Sequence, residues 1–592
     1  MTATRTAPAE PVAPAPVRHT GRNAGMLNAL APFAKIGMVV GGVLSVLGAY
    51  LAWSTFVLNK GAFPERSTLT MFVEPLGVSG YRLHLTVLGI AVIVVALLRI
   101  PARHRIVRGL GLGITFVALL NGLWIIVEGG GFGAITASDG TVAFGAVVAL
   151  VGGLVTVLFA QAGGLEPRPE WTWRLPWWAE WILLLVIFAI VLLLVAEVLT
   201  SGGQGGVVNP YAGVVFLSLL AALAGAFAAL NASGLLGWVA VVSERHRVFS
   251  VVVLLVCALA LPFTNAGTEY WMTVASNIGV YAATAIGLNI VVGLAGLLDL
   301  GYVAFLGIGA FVAANLSGAA ASVIGIHLPF LLVMVISSVV AGMFGAIVGS
   351  PTLRVRGDYL AIVTLAFGEI FVRSAQNNIG SLTGGANAIP NIPQVAIGGL
   401  AFNESITIGA VRLPSGVLYY IAIVLLVSVV MLVFGNLKYS RLGRAWIAIR
   451  EDEDAAAAMG IRTGPIKILA FLIGAMLAGL AGAFFAHKTG VVAYDSFRFL
   501  ESVTLLSAVI LGGMGTIPGA VLGASILFVL PEKLREFSDY RLLIFGLALV
   551  LIMRFRPQGI IPDRHRKAEL ADTDPEDVAR EGPGALPTEV EP

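Results

Sequence analysis

Charged residues are scarce in this sequence: Asp, Glu, Lys and Arg make up 12% of the 592 residues, against about 25% in an ordinary soluble protein. Hydrophobic residues make up 58%, and the mean hydropathy is +0.93. So little polar surface cannot cover a water-soluble globule of this size. Because lipid offers no partners for backbone polar groups, and a helix satisfies them internally, the sequence predicts an all-α, polytopic integral membrane protein.

Several kinds of reactive site are also missing. The single cysteine, Cys257, excludes internal disulfides and cysteine metal clusters. No Gly-Lys dipeptide occurs, so the phosphate-binding loop GxxxxGK[ST] is absent and the chain cannot hydrolyse ATP by that route. The seven histidines are scattered without metal-ligand spacing, and no GxSxG motif is present. We therefore expect a protein that is not an enzyme and holds neither metal nor cofactor, and the net charge of only +3 argues against a nucleic-acid partner.

Apolar segments of suitable length to cross or re-enter the bilayer number about sixteen. Lys and Arg concentrate in cytoplasmic loops, and placing the N-terminus inside puts about 26 of the 36 inside. Both termini are therefore predicted to be cytoplasmic. The candidate segments are residues 34–57, 83–100, 109–127, 141–160, 181–199, 212–242, 248–263, 271–294, 303–319, 328–349, 359–374, 416–435, 466–487, 502–512, 516–530 and 541–553.

Two glycine-interrupted stretches lie inside hydrophobic runs, at residues 287–311 and 511–519. Interrupted helices expose backbone groups at membrane depth and are typical of transport sites. Tight packing through small residues explains the same pattern equally well. On the first interpretation, the candidates for the translocation path are Asn289, Asp299, Gly309, Gly512, Gly513 and Gly515.

Ionisable residues within the spans are few, and functional roles are the default hypothesis for them. Glu369 and Arg373 lie four residues apart on one predicted helix face and can pair. Pairing lowers the cost of burying either charge, which favours a structural ion pair. No relay of carboxylates of the kind used by proton-driven carriers is visible.

The segment from Lys438 to Lys467 is the longest strongly charged stretch between two spans, and it falls on the predicted inside. Its apolar residues predict one amphipathic helix. Four consecutive acidic residues, 451–454, would be repelled by anionic headgroups, so docking to a protein partner is favoured over the lipid surface. Gly460 then permits a sharp exit from the helix. The apolar positions at helical spacing are Leu442, Ala445, Ile449, Ala456 and Met459.

Within this segment, Asp454-Ala455-Ala456, three residues and Gly460 resemble the EAA loop of ABC-importer permeases, with Asp in place of Glu. The context resembles the LivM-like permeases of branched-chain amino acid ABC transporters over residues 250–562. The phrases in family order are GLNIVVGLAGLLDLGYVAF, GIGAF, RGDYLAIVTLAFGEI, TGGANAIPNIP, SRLGRAWIAIREDEDAAAAMGI, AVILGGMGTIPGAVLGA and RFRPQGIIP.

The resemblance implies one transmembrane subunit of an importer in the inner (cytoplasmic) membrane. Its implied partners are a second, LivH-like permease, two cytoplasmic ATPases that bind the ATP, and an extracytoplasmic solute-binding protein. Asp454, Ala455, Ala456 and Gly460 match the loop that meets the ATPase, and Arg444 and Arg450 are nearby docking charges. Thr383, Gly384 and Gly385 lie in the predicted external loop, where a binding protein can meet the permease.

The predicted organisation has four parts. A disordered Ala/Pro-rich arm, residues 1–33, precedes an accessory membrane domain of about six helices, residues 34–247, which a typical family member does not need. The LivM-type permease core follows at residues 248–562, and a polar cytoplasmic tail at residues 563–592.

Two other classes of function stay open. An ATP-independent secondary carrier or channel would transport without partners, and a membrane-embedded enzyme would need acids, bases or metal ligands that the sequence does not group. Nor does the sequence separate leucine, isoleucine and valine from urea or other amides as the solute.

Overall fold

A computed structural model describes most of the chain. The residues it describes are 24–51, 53, 80–128, 131–135, 143–164, 166, 168–169, 171–200, 212–319, 322–353, 358–397, 400–402, 404–408, 411–533, 543, 546–547, 550, 554 and 559–561. Most of the predicted span 541–553 and the whole tail 563–592 lie outside them. By contacts between residues, the chain divides into two compact units, Met1–Leu254 and Leu255–Pro592.

Helices dominate both units. In the first unit they are α1 (Ala24–Leu30), α2 (Ala34–Tyr50), α3 (Tyr81–Leu97), α4 (Arg103–Glu128), α5 (Gly145–Ala162), α6 (Trp177–Thr200), α7 (Ala212–Ala232) and α8 (Leu235–Arg245). The unit boundary falls inside α9 (Arg247–Ala260). In the second unit they are α10 (Glu269–Asn289), α11 (Val303–Leu316), α12 (Phe330–Gly349), α13 (Asp358–Gln376), α14 (Val417–Tyr439), α15 (Arg441–Glu451), α16 (Glu453–Ala458), α17 (Thr463–Thr489), α18 (Phe499–Gly512) and α19 (Ile517–Lys533).

Extended structure in the described chain is limited to two antiparallel hairpins between α13 and α14. Strand β1 (Ala396–Ile397) pairs with β2 (Leu400–Ala401), and β3 (Ile406–Ile408) pairs with β4 (Val411–Leu413). These four strands are two or three residues long and do not alter the all-helical class that the sequence predicts.

Nine of the described helices are long and apolar enough to cross a membrane. A tenth candidate is the pair α8 and α9, bent by 104°, and three shorter apolar helices are Tyr81–Leu97, Val303–Leu316 and Phe499–Gly512. A polytopic membrane protein is thereby confirmed, while the total of about sixteen and the cytoplasmic termini stay predictions. The nine are Gly25–Tyr50, Arg103–Val127, Gly145–Ala162, Trp177–Thr200, Gly213–Ala232, Glu269–Leu294, Phe330–Gly349, Val417–Tyr439 and Thr463–Thr489.

Two sequence-based boundaries differ from the structure. The predicted single span 212–242 is two helices, α7 and α8, because Gly234 takes a left-handed φ of +76° that interrupts the helix. Part of the predicted disordered arm is also helical: Ala24–Leu30 forms α1, whose Ala, Met and Leu residues favour a helix.

The first unit buries polar side chains among its apolar helices. Ser218 on α7 lies 2.9 Å from His84 Nδ1 on α3 and accepts from Asn121 Nδ2 on α4 at 3.1 Å. Glu180, which is 1% exposed, pairs with Arg245 and His246 at 2.6 and 2.7 Å. Such interhelical bonds hold helices together in lipid. The accessory role of this unit stays a prediction.

Helix α17 is the centre of the second unit, and it packs against α10, α11 and α12. Small residues allow the backbones to approach closely. A Cβ added to Gly309 of α11 would lie 2.3 Å from the carbonyl oxygen of Gly479 on α17. The hydroxyl of Tyr302, which is fully buried, donates to the carbonyl of Gly474 at 2.6 Å.

Contacts at the two ends of the second unit agree with the prediction that successive spans cross the membrane in opposite directions. At one end, Lys438 and Arg450 meet the linkers that follow α10 and α18. At the other end, Ile389 pairs with Val492, and Asn315 donates to the carbonyl of Leu382 at 2.7 Å. The first end contains the segments predicted to lie inside the cell, and the second contains those predicted to lie outside.

We expect Gly309→Ala to destabilise the protein and Gly435→Ala to leave its stability unchanged or slightly higher. The added methyl at Gly309 clashes with the backbone of α17, whereas at Gly435 on α14 the nearest neighbouring atom is 3.8 Å away. Overpacking costs about 1–3 kcal/mol, and alanine is favoured over glycine in a helix by roughly 0.5–1 kcal/mol.

Thermal unfolding of the purified protein in detergent measures both variants. Equal midpoints for the two variants would contradict the close approach of α11 and α17.

Candidate functional site

The charged segment after α14 forms two helices rather than the single amphipathic helix predicted. Ser440 caps α15 by accepting from Gly443 N at 3.2 Å. Asp452 then takes an extended conformation, with φ −154° and ψ 110°, and caps α16 by accepting from Ala455 N at 2.9 Å. Asp favours such caps because its carboxylate satisfies a free backbone N–H, so Asp452 ends one helix and begins the next.

Helix α16 presents small side chains to solvent. Ala455, Ala457 and Ala458 are exposed, whereas Ala456 is 5% exposed and packs inward. Met459 is 84% exposed, and its predicted contact with a protein partner stays a prediction. Helix α16 is held to α17 by an ion pair between Glu453 and Lys467, at 2.5 Å.

Gly460 follows α16 with a φ of +86°, and no atom lies within 4 Å of an added Cβ. A side chain there would therefore meet backbone strain rather than a clash. Gly460 and Asp454 are both exposed and are part of the surface predicted to contact the ATPase.

The two arginines of α15 have different surroundings. Arg444 is exposed, and among the residues that the structure describes it donates to the carbonyl of Tyr439, at 3.0 Å. Arg450 points inward with a side chain 17% exposed, donating from Nη1 to the carbonyl of Gly293 at 2.8 Å and from Nε to Glu451 at 2.8 Å. Arg444 is therefore available to a partner, whereas Arg450 is bound within the chain.

The first glycine-rich interruption follows α10, where Ile290–Leu294 forms a π-helical turn. Asn289 is fully buried at its start and bridges to the second interruption. Its Oδ1 accepts from Gly515 N at 2.8 Å, and its Nδ2 donates to the carbonyl of Thr516 at 2.9 Å. A Cβ on Gly293 would lie 2.0 Å from Asn289 Oδ1, so only glycine permits this approach.

The second interruption, between α18 and α19, contains Gly512, Gly513 and Gly515. Lys438 Nζ donates to the carbonyl of Gly515 at 2.7 Å. The segment 559–561 covers the same turn, since the N–H of Ile561 donates to Gly512 O at 2.9 Å. The two interruptions predicted from the sequence therefore meet each other and both meet the segment 438–450.

The sequence did not identify Lys438 as a site residue. The one sequence feature that marks Lys438 is its position at the start of the charged segment. Its bond could not be predicted from local sequence, because its partner Gly515 lies 77 residues away. Together, Lys438, Arg450, Asn289, the π-helical turn Ile290–Leu294 and the turn that contains Gly512, Gly513 and Gly515 form what we call the inner junction.

Asp299 lies in the linker between α10 and α11, outside the membrane-spanning helices, and is 1% exposed. Its Oδ1 accepts from Gly301 N at 2.9 Å, while Oδ2 has no hydrogen-bond partner among the described residues. Burial raises the pKa of this carboxyl to about 7, against the lowering effect of the Gly301 N–H and Thr364. The neutral acid is therefore well populated at neutral pH, and the carboxyl stabilises a turn.

Gly309 lies apart from the inner junction, at the α11 contact with α17.

The three residues predicted to contact a binding protein, Thr383, Gly384 and Gly385, lie in a turn. Thr383 Oγ1 donates to the carbonyl of Ala375 at 2.7 Å, Gly384 has a φ of +68°, and Gly385 is buried with a φ of +58°. The exposed positions of this turn are Ser381, Leu382, Ala386 and Asn387. Contact of Thr383, Gly384 and Gly385 with a binding protein stays a prediction.

Glu369 and Arg373 are both exposed on α13. Arg373 Nη1 donates to Oε1 of Gln376 at 3.1 Å. The ion pair predicted between Glu369 and Arg373 is not formed among the described residues and stays a prediction. Within the described ranges, no three His, Cys, Asp or Glu side chains group closely enough to hold a metal ion.

The known proteins that this chain resembles are permeases of branched-chain amino acid transport systems. A family model described as the permease component of the branched-chain amino acid transport system matches residues 270–553, which lie within the second unit. The high-affinity branched-chain amino acid transport system permease protein LivM of Escherichia coli (strain K12) is 40% identical over 334 residues, which cover 54% of this chain and 75% of the relative.

Two further relatives are more distant. The permease protein BraD of Pseudomonas aeruginosa is 31% identical over 311 residues, 48% of this chain and 91% of the relative. The permease protein LivH of Salmonella typhimurium is 28% identical over 299 residues, also 48% of this chain and 91% of the relative. No solved structure matches the chain.

We expect Arg450→Met to lower stability and Arg444→Met to change it little. The first removes a buried, charge-assisted bond to the carbonyl of Gly293, worth about 1.5–3 kcal/mol, whereas surface substitutions stay within about 0.5 kcal/mol. Thermal unfolding in detergent is the measurement. If Arg444→Met lowered the midpoint as much as Arg450→Met, the inward role of Arg450 would be refuted.

Proposed function

This chain belongs to the family of permease components of branched-chain amino acid transport systems, and from that premise we propose that it is the lipid-embedded subunit of an ATP-driven importer in the cytoplasmic membrane. It imports leucine, isoleucine, valine or a closely similar amino acid. The observation that supports this proposal is α16, an exposed helix of small residues whose sequence resembles the EAA loop of ABC-importer permeases.

The proposed assembly contains a second, LivH-like permease, two cytoplasmic ATPases and an extracytoplasmic solute-binding protein. The relatives of this chain include both LivM and LivH, which supports a pair of related permeases. ATP binds to the ATPases, and this chain supplies neither catalytic residues nor cofactor. Solute selection at the outer face belongs to the binding protein.

The coupling surface supports contact with an ATPase by its shape and charge. Ala455, Ala457 and Ala458 leave the backbone of α16 open to close approach. Exposed Asp454 on α16 and exposed Arg444 on the preceding helix α15 give the segment opposite charges, which suits electrostatic selection of one partner. In this proposal the side chain of Met459 enters a pocket on the ATPase, since thioethers adapt to apolar surfaces.

Displacement of α16 has a direct route into the membrane bundle. Glu453 transmits it to α17 through Lys467, Arg450 transmits it to the first interruption at Gly293, and Lys438 connects α14 to the second interruption. Because Asn289 joins the two interruptions, they move together. Closure of the ATPases on ATP then rocks the helices and changes the side to which the passage opens.

We expect Asp454→Arg and Gly460→Trp each to abolish coupled uptake while leaving membrane insertion intact. Each places bulk or reversed charge on the docking surface, and loss of a central interface residue costs at least about 2 kcal/mol, or roughly thirtyfold in affinity. The measurement is uptake of radiolabelled leucine, together with co-purification of the ATPases, for the complete transporter in proteoliposomes. Lys35→Glu, a charge reversal at an exposed position of α2, is the control that keeps both uptake and co-purification.

Normal uptake by Asp454→Arg and Gly460→Trp would refute the coupling surface. Uptake by the wild-type chain alone, without ATPases, would instead support the ATP-independent carrier.

A further inference from the structure

The connection between α13 and α14 includes a non-helical segment, residues 388–395, which lies against the end of α17 and which we call the strap. Three of its apolar side chains, Ile389, Ile392 and Val395, are at most 3% exposed and pack into the core of the second unit. No charged residue occurs from position 374 to position 403. The strap is therefore held by apolar packing and hydrogen bonds rather than by ion pairs.

Hydrogen bonds join the strap to the last turn of α17 and to the residues that follow it. Ile389 and Val492 form an isolated antiparallel bridge, in which each N–H donates to the other residue's carbonyl, at 2.9 and 3.1 Å. We call this bridge the latch. His487, near the end of α17, donates from Nδ1 to the carbonyl of Pro393 at 2.8 Å. These bonds lie at the end of the second unit that the sequence predicts to be outside the cell.

Ala388, the residue before the latch, has an unusual backbone conformation, with φ 60° and ψ −177°. Glycine is essentially the only residue that adopts this region readily, so Ala388 is strained. A Cβ added to Gly384 would lie 2.0 Å from the carbonyl oxygen of Ala388, and the latch fixes Ile389 on the other side. Such strain persists only where neighbouring contacts enforce it, and it is concentrated at active sites and switch regions. Release of the latch therefore allows Ala388 to relax.

One continuous helix connects the strap with the coupling surface. Helix α17 has 27 residues and is therefore about 40 Å long. Near its start, Lys467 pairs with Glu453 of α16, and near its end His487 bonds the strap. A displacement of α16 thus reaches the strap through a single element, because a closely packed interior transmits strain.

We propose that the strap is the outer gate of the transport passage and that the strain at Ala388 favours its release. In the closed state, the latch and the three buried apolar side chains seal the outer end of the second unit. Displacement of α17 separates Ile389 from Val492, and relaxation of Ala388 offsets part of the free energy lost with the two backbone bonds. The inference rests on the proposed function and names the element that controls access from outside the cell.

Ala388→Gly tests the role of the strain. Glycine adopts the Ala388 conformation without strain, so we expect a higher midpoint of thermal unfolding in detergent. Because the closed state is stabilised, leucine uptake by the complete transporter in proteoliposomes falls about threefold or more, the relieved strain less the entropy cost of glycine. Ala493→Gly is the matched control beside the same latch. Its φ of −119° and ψ of 147° are ordinary, so its midpoint does not rise and uptake stays within about twofold of wild type.

A reversible disulfide across the latch tests whether the strap must move. The two Cα atoms of a hydrogen-bonded antiparallel pair are about 5.5 Å apart, which suits a disulfide. In a Cys257→Ala background, oxidation of the Ile389→Cys, Val492→Cys double variant lowers leucine uptake at least tenfold, and a reductant restores it. Each single variant keeps its uptake under oxidation.

The matched control is the double variant Ser317→Cys, His327→Cys. It crosslinks the other isolated bridge in the described part of the second unit, which does not include the strap. Its uptake is the same in the oxidised and the reduced state.

Three results would overturn the proposal. Full uptake by the oxidised Ile389–Val492 pair would show that the strap does not open, and failure of that pair to form a disulfide would contradict the latch. A raised midpoint with full uptake in Ala388→Gly would leave the strain a structural role only. Failure of the proposed function looks different, because the wild-type assembly would then import no leucine at all.

Discussion

Backbone groups freed inside the membrane bundle must find partners within the protein, because lipid supplies none. The second unit meets this constraint at the inner junction, where α10 and the α18–α19 turn both leave helical geometry. Asn289 bonds Gly515 and Thr516, Arg450 bonds Gly293, and Lys438 bonds Gly515. These side chains belong to α10, to α15 and to the end of α14, so the bonds that satisfy the backbone also connect the charged segment to the helix bundle.

The two ends of the second unit differ in character. The inner end is connected by charged side chains to a helix that remains open to a partner, α16. The outer end is closed by backbone pairing, as between Ile389 and Val492, and by turns such as that at Gly384. Between the ends, small residues such as Gly309 let α11 and α17 pack without intervening side chains. An interior packed this closely has low compressibility and transmits strain.

Composition and periodicity were sufficient for the class of protein and for most spans. The span predicted at 466–487, for example, is α17, Thr463–Thr489, and the one at 181–199 is α6, Trp177–Thr200. The breaks at Gly234 and Asp452 were missed because each depends on one residue's backbone angle or cap, which apolar periodicity does not register. Arg450 was predicted to face a partner, and no local pattern indicates a bond to Gly293, 157 residues away. The glycine-rich interruptions were identified, but their contact through Asn289 joins residues 227 apart.

The proposed function requires a separate ATPase to bind α16 from the cytoplasm. A photoactivatable benzophenone attached at Ala457→Cys, in a Cys257→Ala background, tests it in the reconstituted assembly, with Asn387→Cys in the external turn as the comparison. We expect a covalent product between this chain and the ATPase from position 457, with a yield that changes on ATP binding, and none from position 387. Absence of that product from position 457 in an assembly that transports leucine would contradict it.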